Sequence, residues 1–175
     1  SRMAEFAVNP FNGIQVVFHQ LAGQIPITEH EHADSAVEKW SKMGTMIDQA
    51  IGRLRQGLAR DRPPPRMGAE KALAHVDAYL KSPVESDAFV NLTAPPAWND
   101  DQIATWRQRL AEQVTTVVRP AFRRYRAAIA NEVMPEARPP ERSGVVWLSD
   151  GAEVYSRAIR RHTSLDLVAL DIHDA

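Results

Sequence analysis

Residues 27 to 40, ITEHEHADSAVEKW, gather Glu29, His30, Glu31, His32 and Asp34, side chains of the kind that hold a metal ion or move a proton. His30-Glu31 followed by Asp34 is one residue type away from H-E-x-x-H. In that pattern two histidines four apart on one helix face grip zinc, and the glutamate acts as base. Here Asp34 would take the place of the second histidine. A third ligand is still needed, and the local candidate, His32, points about 200° away around a helix. The same residues also make a helix start. Thr28 and Glu31 fit the S/T-x-x-E capping box, in which each side chain satisfies the other residue's free amide. The acids at 29, 31 and 34 then fall where the helix dipole favours negative charge. This second reading requires no ligand, and the expectation is a capped helix start holding no metal.

Two other groups have the right chemistry. Arg119, Arg123 and Arg126 share a helical face, with Arg124 beside them. Such a patch can bind phosphate or carboxylate, but a solvated face paired with acids on a neighbouring helix is the expectation. Trp40, Trp98, Trp106 and Trp147 fall mostly on core-facing positions and are expected to pack. No G-x-S-x-G, glycine-rich phosphate loop or H-E-x-x-H occurs anywhere in the chain.

The elements that must position these residues are helices separated by proline. From 29 to 59, Ala33, Val37, Trp40, Gly44, Ile47, Ile51, Leu54 and Leu58 recur at steps of three and four, one stripe of an α-helix. The run RDRPPPR (60 to 66) stops it, because proline lacks the amide and crowds the preceding turn. Pro65 suits the first position of the next helix. That helix carries Ala69, Leu73, Val76 and Leu80 and ends near Ser82-Pro83. Residues 83 to 98 read as a long connection with one short helical turn. Asn99 or Asp100 then caps a long helix with Ile103, Trp106, Leu110, Val114, Val117, Ala121, Tyr125, Ile129 and Val133 on its stripe. Pro120 interrupts this stripe and predicts a kink rather than a break. After the proline-rich MPEARPPERSG (134 to 144), a last amphipathic helix follows Asp150, with Val154, Ala158, Ile159 and His162 inward. Strand-like runs such as GIQVVF and GVVW are short. The expected fold is all-α, built from long antiparallel amphipathic helices with proline-rich connections.

Bulk properties set outer limits. The 175 residues make one domain or a large piece of one, and 25% charged with 44% apolar residues is ordinary globular composition. A formal net charge of −1 supplies no general attraction to nucleic acid or anionic lipid. The absence of cysteine excludes disulfides and thiolate metal sites. No apolar run approaches the roughly 20 residues that span a bilayer, so neither nucleic acid nor membrane is an expected partner.

One segment is more specific. LSDGAEVYSRAIRRHTSLDLVALDIHD (148 to 174) resembles the bacterial domain-of-unknown-function family 885, whose members typically read P-D-G-x-x-Y-Y-x-x-x-[LIV]-R-x-H-T-[ST]-x-D-L-T-P-E-E-I-H. Asp150, Gly151, Tyr155, Arg160 or Arg161, His162, Thr163, Asp166, Leu167, Ile172 and His173 stand in matching places. Segments 12 to 27, 47 to 66 and 122 to 138 extend the likeness, in order, over nearly the whole chain. Val154 replaces the first tyrosine of the family's pair, and Ser149 replaces the proline before Asp-Gly. Val168 and Ala169 stand where Thr-Pro would open the next helix, which leaves Asp166 to cap it.

The resemblance implies a larger, mainly helical protein similar to deep-cleft zinc metallopeptidases, whose metal motif H-E-x-x-P-G-H lies well beyond the matched region. On that basis residues 1 to 175 are expected to be a single helical region, a middle portion of a larger all-α domain. It would lack metal ligands and general base, hold no cofactor itself, and leave zinc to the full-length parent. Its partners would be the parent's remaining helices, and alone it would self-associate through uncovered apolar faces. Tyr155, Arg161, His162 and Thr163 are the candidate substrate-binding residues of that parent, able to hold an oxyanion or a substrate carboxylate. The competing role for His162 and Thr163 is to end their helix and satisfy its last carbonyls. The remaining alternative for the whole chain is a helical scaffold or partner-binding module without enzymatic activity.

Overall fold

A computed structural model describes residues 8–11 and 13–163. The fold is all-α: among the described residues there is no strand, and only one isolated bridge, between Pro65 and Arg138. The helices are α1 (Ile14–Ala22), α2 (His30–Leu58), α3 (Arg66–Lys81), α4 (Asp100–Gln113), α5 (Arg119–Ala128), the single turn α6 (Met134–Glu136) and α7 (Gly151–Thr163).

Segments α4, α5 and α6 are one rod, joined by two five-residue π turns, Val114–Val118 and Ile129–Val133. In each the amide of the following residue reaches back five positions, Arg119 N–H to the Val114 carbonyl and Met134 N–H to that of Ile129. Each π turn ends two residues before a proline, Pro120 and Pro135, which then occupies the first turn of the next segment. A proline ring crowds the carbonyl four residues back, and a wider turn relieves that crowding without ending the helix. The kink expected at Pro120 is therefore answered by a π turn.

The turns also keep the apolar stripe in register. Trp106 and Val133 are both buried, yet 27 residues at about 100° each would place them about 180° apart on an uninterrupted α-helix. Two residues absorbed by the π turns bring that offset down to about 20°.

The other helices take their places from this rod. Asp34, Asp48 and Arg55 of α2 pair with Arg109, Arg124 and Glu132 in the same order, so α2 runs parallel to the rod. Asp77 of α3 pairs with Arg126, and Arg66 donates to the Met134 carbonyl, so α3 runs antiparallel to it. The expectation of antiparallel pairs thus holds for α3 and fails for α2. An amphipathic stripe specifies which face is buried but carries no direction. Parallel packing of α2 becomes feasible because residues 83–99 continue downward past the end of α3 and return the chain to the start of α2. There Trp106 Nε1 donates to the Ala33 carbonyl at 3.0 Å.

This connection, with the one short helical turn expected of it, at Val84–Ser86, is part of the core. Phe89, Val90 and Leu92 are buried, and Asp87 is fully so. The Asp87 carboxylate accepts from Phe89 N at 3.1 Å, and from Arg119 Nη2 and Nε at 3.0 and 3.3 Å. Arg119 is itself buried, its guanidinium 5.3 Å from the centroid of the Tyr79 ring. The basic patch is divided accordingly. Arg124 and Arg126 pair with acids on neighbouring helices as expected, with Arg124 bound to Asp48 at 2.8 and 2.9 Å, whereas Arg119 is withdrawn from solvent.

Breaking a buried ion pair by removing one partner strands the other charge, at a cost of about 3–5 kcal/mol. Asp87→Asn, which preserves the acceptor for Phe89 N–H, is expected to lower the unfolding free energy by that amount in urea titrations. Adding Arg119→Met should recover more than half of the loss. A single variant as stable as wild type would show that the pair does not hold this connection.

Candidate functional site

The opening histidines can be placed first. Helix α2 begins at His30 as expected, but its N-cap is Glu29 and no side chain caps it. Thr28 and Glu31 do not form the predicted box. Instead His32 turns back, its Nδ1 lying 3.0 Å from Thr28 Oγ1 and 3.4 Å from Thr28 N. The ring thereby supplies the acceptor for Thr28 that the box assigned to a carboxylate. His30 Nε2 lies 3.3 Å from Asp34, which also accepts from Arg109 at 2.7 Å. A capping box does form two helices later, at the start of α4, where Asn99 and Gln102 exchange bonds at 2.9 and 3.0 Å. Pro65, expected at a first helical position, is the N-cap of α3 with extended backbone.

Parts of three segments that carry the family likeness meet at the other end of the bundle. The two proline-rich breaks lie side by side: Arg138 N donates to the Pro64 carbonyl at 2.9 Å and Arg66 N to the Arg138 carbonyl at 2.8 Å. Proline cannot supply donors, so the carbonyls here need them from elsewhere. Arg138 provides them. Its buried side chain donates from Nε to Pro63 O at 2.8 Å and from Nη1 to the carbonyls of Arg142, at 2.8 Å, and Gly144. Burial pulls the Arg138 pKa below the ordinary arginine value, and the three carbonyl dipoles take the place of the lost solvent around its charge.

Helix α7 is attached to this knot by its first residues. The buried guanidinium of Arg62 pairs with Asp150, immediately before the helix. Gly151 follows because nothing larger fits: a Cβ there would lie 2.0 Å from the Val145 carbonyl oxygen. Asp-Gly therefore has a physical meaning, a carboxylate for Arg62 and a close backbone approach to residues 145–147. Val154 and Ile159 then bury the inner face of α7.

The four candidate substrate-binding residues lie on this helix. Tyr155 is half-buried one turn in, Arg161 is exposed near the far end, and the Thr163 hydroxyl donates to the Ile159 carbonyl at 2.7 Å. Such a bond from a threonine to the carbonyl four residues back forms anywhere in a helix. The backbone of His162 is helical, but its side chain lies outside the described residues, as do Asp166 with its expected capping role and the helix it would open. Among the described residues no three histidine, aspartate or glutamate side chains are grouped as a metal site requires. The described donors do not fit a zinc site.

Sequence reasoning missed Arg62 and Arg138 as organising residues. The available signal was an arginine beside each proline run, where donors are scarce. Trp147 also departs from expectation. It is 56% exposed, beside Val146 at 77%, with the Arg142 guanidinium 5.4 Å from its ring centroid. Within the GVVW segment Trp147 N donates to the Gly144 carbonyl at 3.3 Å, and the Arg138 side chain donates to the same carbonyl.

An all-helical bundle built on a π-interrupted rod, with helix α7 anchored through Asp-Gly, is the class of protein these observations define. The chain belongs to the family described as "Bacterial protein of unknown function (DUF885)", whose sequence profile matches residues 1–175. The fold is shared with a solved chain described as "the putative lipoprotein from Colwellia psychrerythraea", at 20% identity and a TM-score of 0.85. That match covers 97% of this chain and spans 29% of the length of the solved one. No curated protein matches. No helix among the described residues is long and apolar enough to cross a membrane.

Asp150→Ala should free α7 at its root while leaving the rod intact. Hydrogen exchange at residues 152–161 is expected to accelerate at least about tenfold, with α2 unchanged. Equal protection in the variant would show that the ion pair does not anchor the helix.

Proposed function

We propose that this chain is a non-catalytic helical section of a metal-dependent, peptidase-like hydrolase, in which the far end of α7 lines the substrate cleft. The observation that carries the reading is the fixed start of α7, which sets the position of the polar side chains along the helix. Asp150 and Gly151 fix its start against a rigid knot, and Arg161 is exposed at the other end. Such an arrangement holds polar groups at a defined distance from a scaffold, which catalysis demands of residues that orient a substrate. Family membership and the 29% share of a longer solved chain support placing further polypeptide around it.

In this reading Tyr155 and His162 donate hydrogen bonds to developing negative charge, and Arg161 takes a substrate carboxylate in a bidentate grip. Zinc, whose ligands would come from outside the described residues, would supply Lewis-acid polarisation of the scissile carbonyl. A second reading, a partner-binding scaffold without catalysis, is favoured by the exposed Val146 and Trp147 beside α7.

The test uses a longer polypeptide containing this chain, supplied with zinc and assayed on a peptide panel. Tyr155→Phe and Arg161→Ala are each expected to lower kcat/KM at least about tenfold with Tm unchanged. Unchanged turnover in both variants removes the cleft role. A wild type without turnover leaves the scaffold reading in its place.

A further inference from the structure

Away from α7, the rod and α3 enclose a cluster that the proposed function does not use. His19 of α1 is inserted among three aromatic rings, 4.5 Å from Tyr79, 4.7 Å from Phe89 and 5.9 Å from Phe122, centroid to centroid. Its Nδ1 lies 2.7 Å from the Gln15 carbonyl oxygen. A carbonyl only accepts, so Nδ1 carries the proton and Nε2 is left with a lone pair. Among the described residues that Nε2 is buried with no hydrogen-bond partner, and so is the hydroxyl of Tyr79. The neutral ring therefore fits as an aromatic surface, but adding a proton would place an unsolvated cation there.

The other charged and titratable groups around the ring decide whether that cation could be stabilised. From α3 there is Tyr79, neutral, its ionisation opposed first by burial and then by the charge of Asp87. From the connection there is Asp87, already engaged by Arg119 and by Phe89 N–H. From α5 there is Arg119, which repels a second cation. Asp87 is already committed and the neutral Tyr79 hydroxyl brings no charge to balance an imidazolium, and desolvation outweighs both the Gln15 bond and the attraction of Asp87 to pull the His19 pKa below its ordinary value.

We propose that His19 is a proton-sensitive latch: in the neutral Nδ1–H form it fastens α1 over α3 and the rod, and protonation at Nε2 releases α1. Among the described residues, other polar contacts of α1 include Gln15 Nε2 to the Asn9 carbonyl at 2.8 Å and Tyr125 Oη to Gln15 Oε1 at 3.5 Å. Release would uncover the aromatic cluster without breaking the Asp87–Arg119 pair beneath it. The sign follows from linkage. A histidine with a lowered bound-state pKa stabilises the latched state above about pH 6.5, and that stabilisation is lost as pH falls toward the lowered value.

The test is amide exchange of the full 175-residue chain, read as protection of α1 relative to α2 so that global unfolding cancels. Between pH 7.5 and 5.0 the wild-type ratio should fall by a factor approaching about 30, the limit set by a released histidine of ordinary pKa. His19→Phe, which retains an aromatic ring and cannot titrate, should show a ratio independent of pH. Should that variant fold poorly, nitrogen-15 spectra of wild-type His19 decide, with an Nδ1–H tautomer and a pKa under 6.5 expected. A wild-type ratio flat in pH, an equal fall in His19→Phe, or an Nε2–H tautomer would each overturn the latch.

Discussion

The phase of one apolar stripe governs this fold. Residues 100–136 must present Trp106, Leu110, Val114, Val118, Tyr125, Ile129 and Val133 to a common core while passing two prolines. An α-helix could not do both. Prolines would crowd it, and the repeated steps of four would carry its stripe around to the solvent side. A π turn before each proline answers both problems, giving the ring room and absorbing the surplus residue. Once the rod keeps a single buried face, α2 and α3 can each find a flank of it, and everything else in the molecule is placed by those two contacts.

Arginine completes what proline leaves undone. The breaks after α2 and α6 are rich in carbonyls and poor in amides, and Arg66 and Arg138 supply the missing donors. Arg62 serves the neighbouring carboxylate of Asp150 in the same way. On the far side, Arg119 enters the core to meet Asp87, tying an irregular connection to the rod. The exposed pairs contribute little stability each, but their order along α2 and α3 is consistent only with one pairing of directions.

The two proposals draw on different helices of this body. The substrate-cleft reading rests on α7, whose root is rigid and whose tip is polar. The latch rests on α1, held by a neutral histidine in an aromatic box.

Much of the architecture was legible in the residues. Steps of three and four marked α2, α3, the long rod and α7, proline runs marked their ends, and Asn99 announced its cap. The family likeness pointed to Asp150-Gly151, whose meaning then proved mechanical. What periodicity could not supply was direction, because a stripe looks the same read either way. Only the pairs formed in three dimensions show α2 parallel to the rod. Composition likewise made residues 83–98 a long connection and Arg119 part of a surface patch, although each is buried by the other's presence. The reversed cap at Thr28, the partnerless nitrogen of His19 and the exposure of Trp147 depend on which neighbours arrive from distant sequence. Local pattern determined the elements, and tertiary packing alone decided which polar groups found partners.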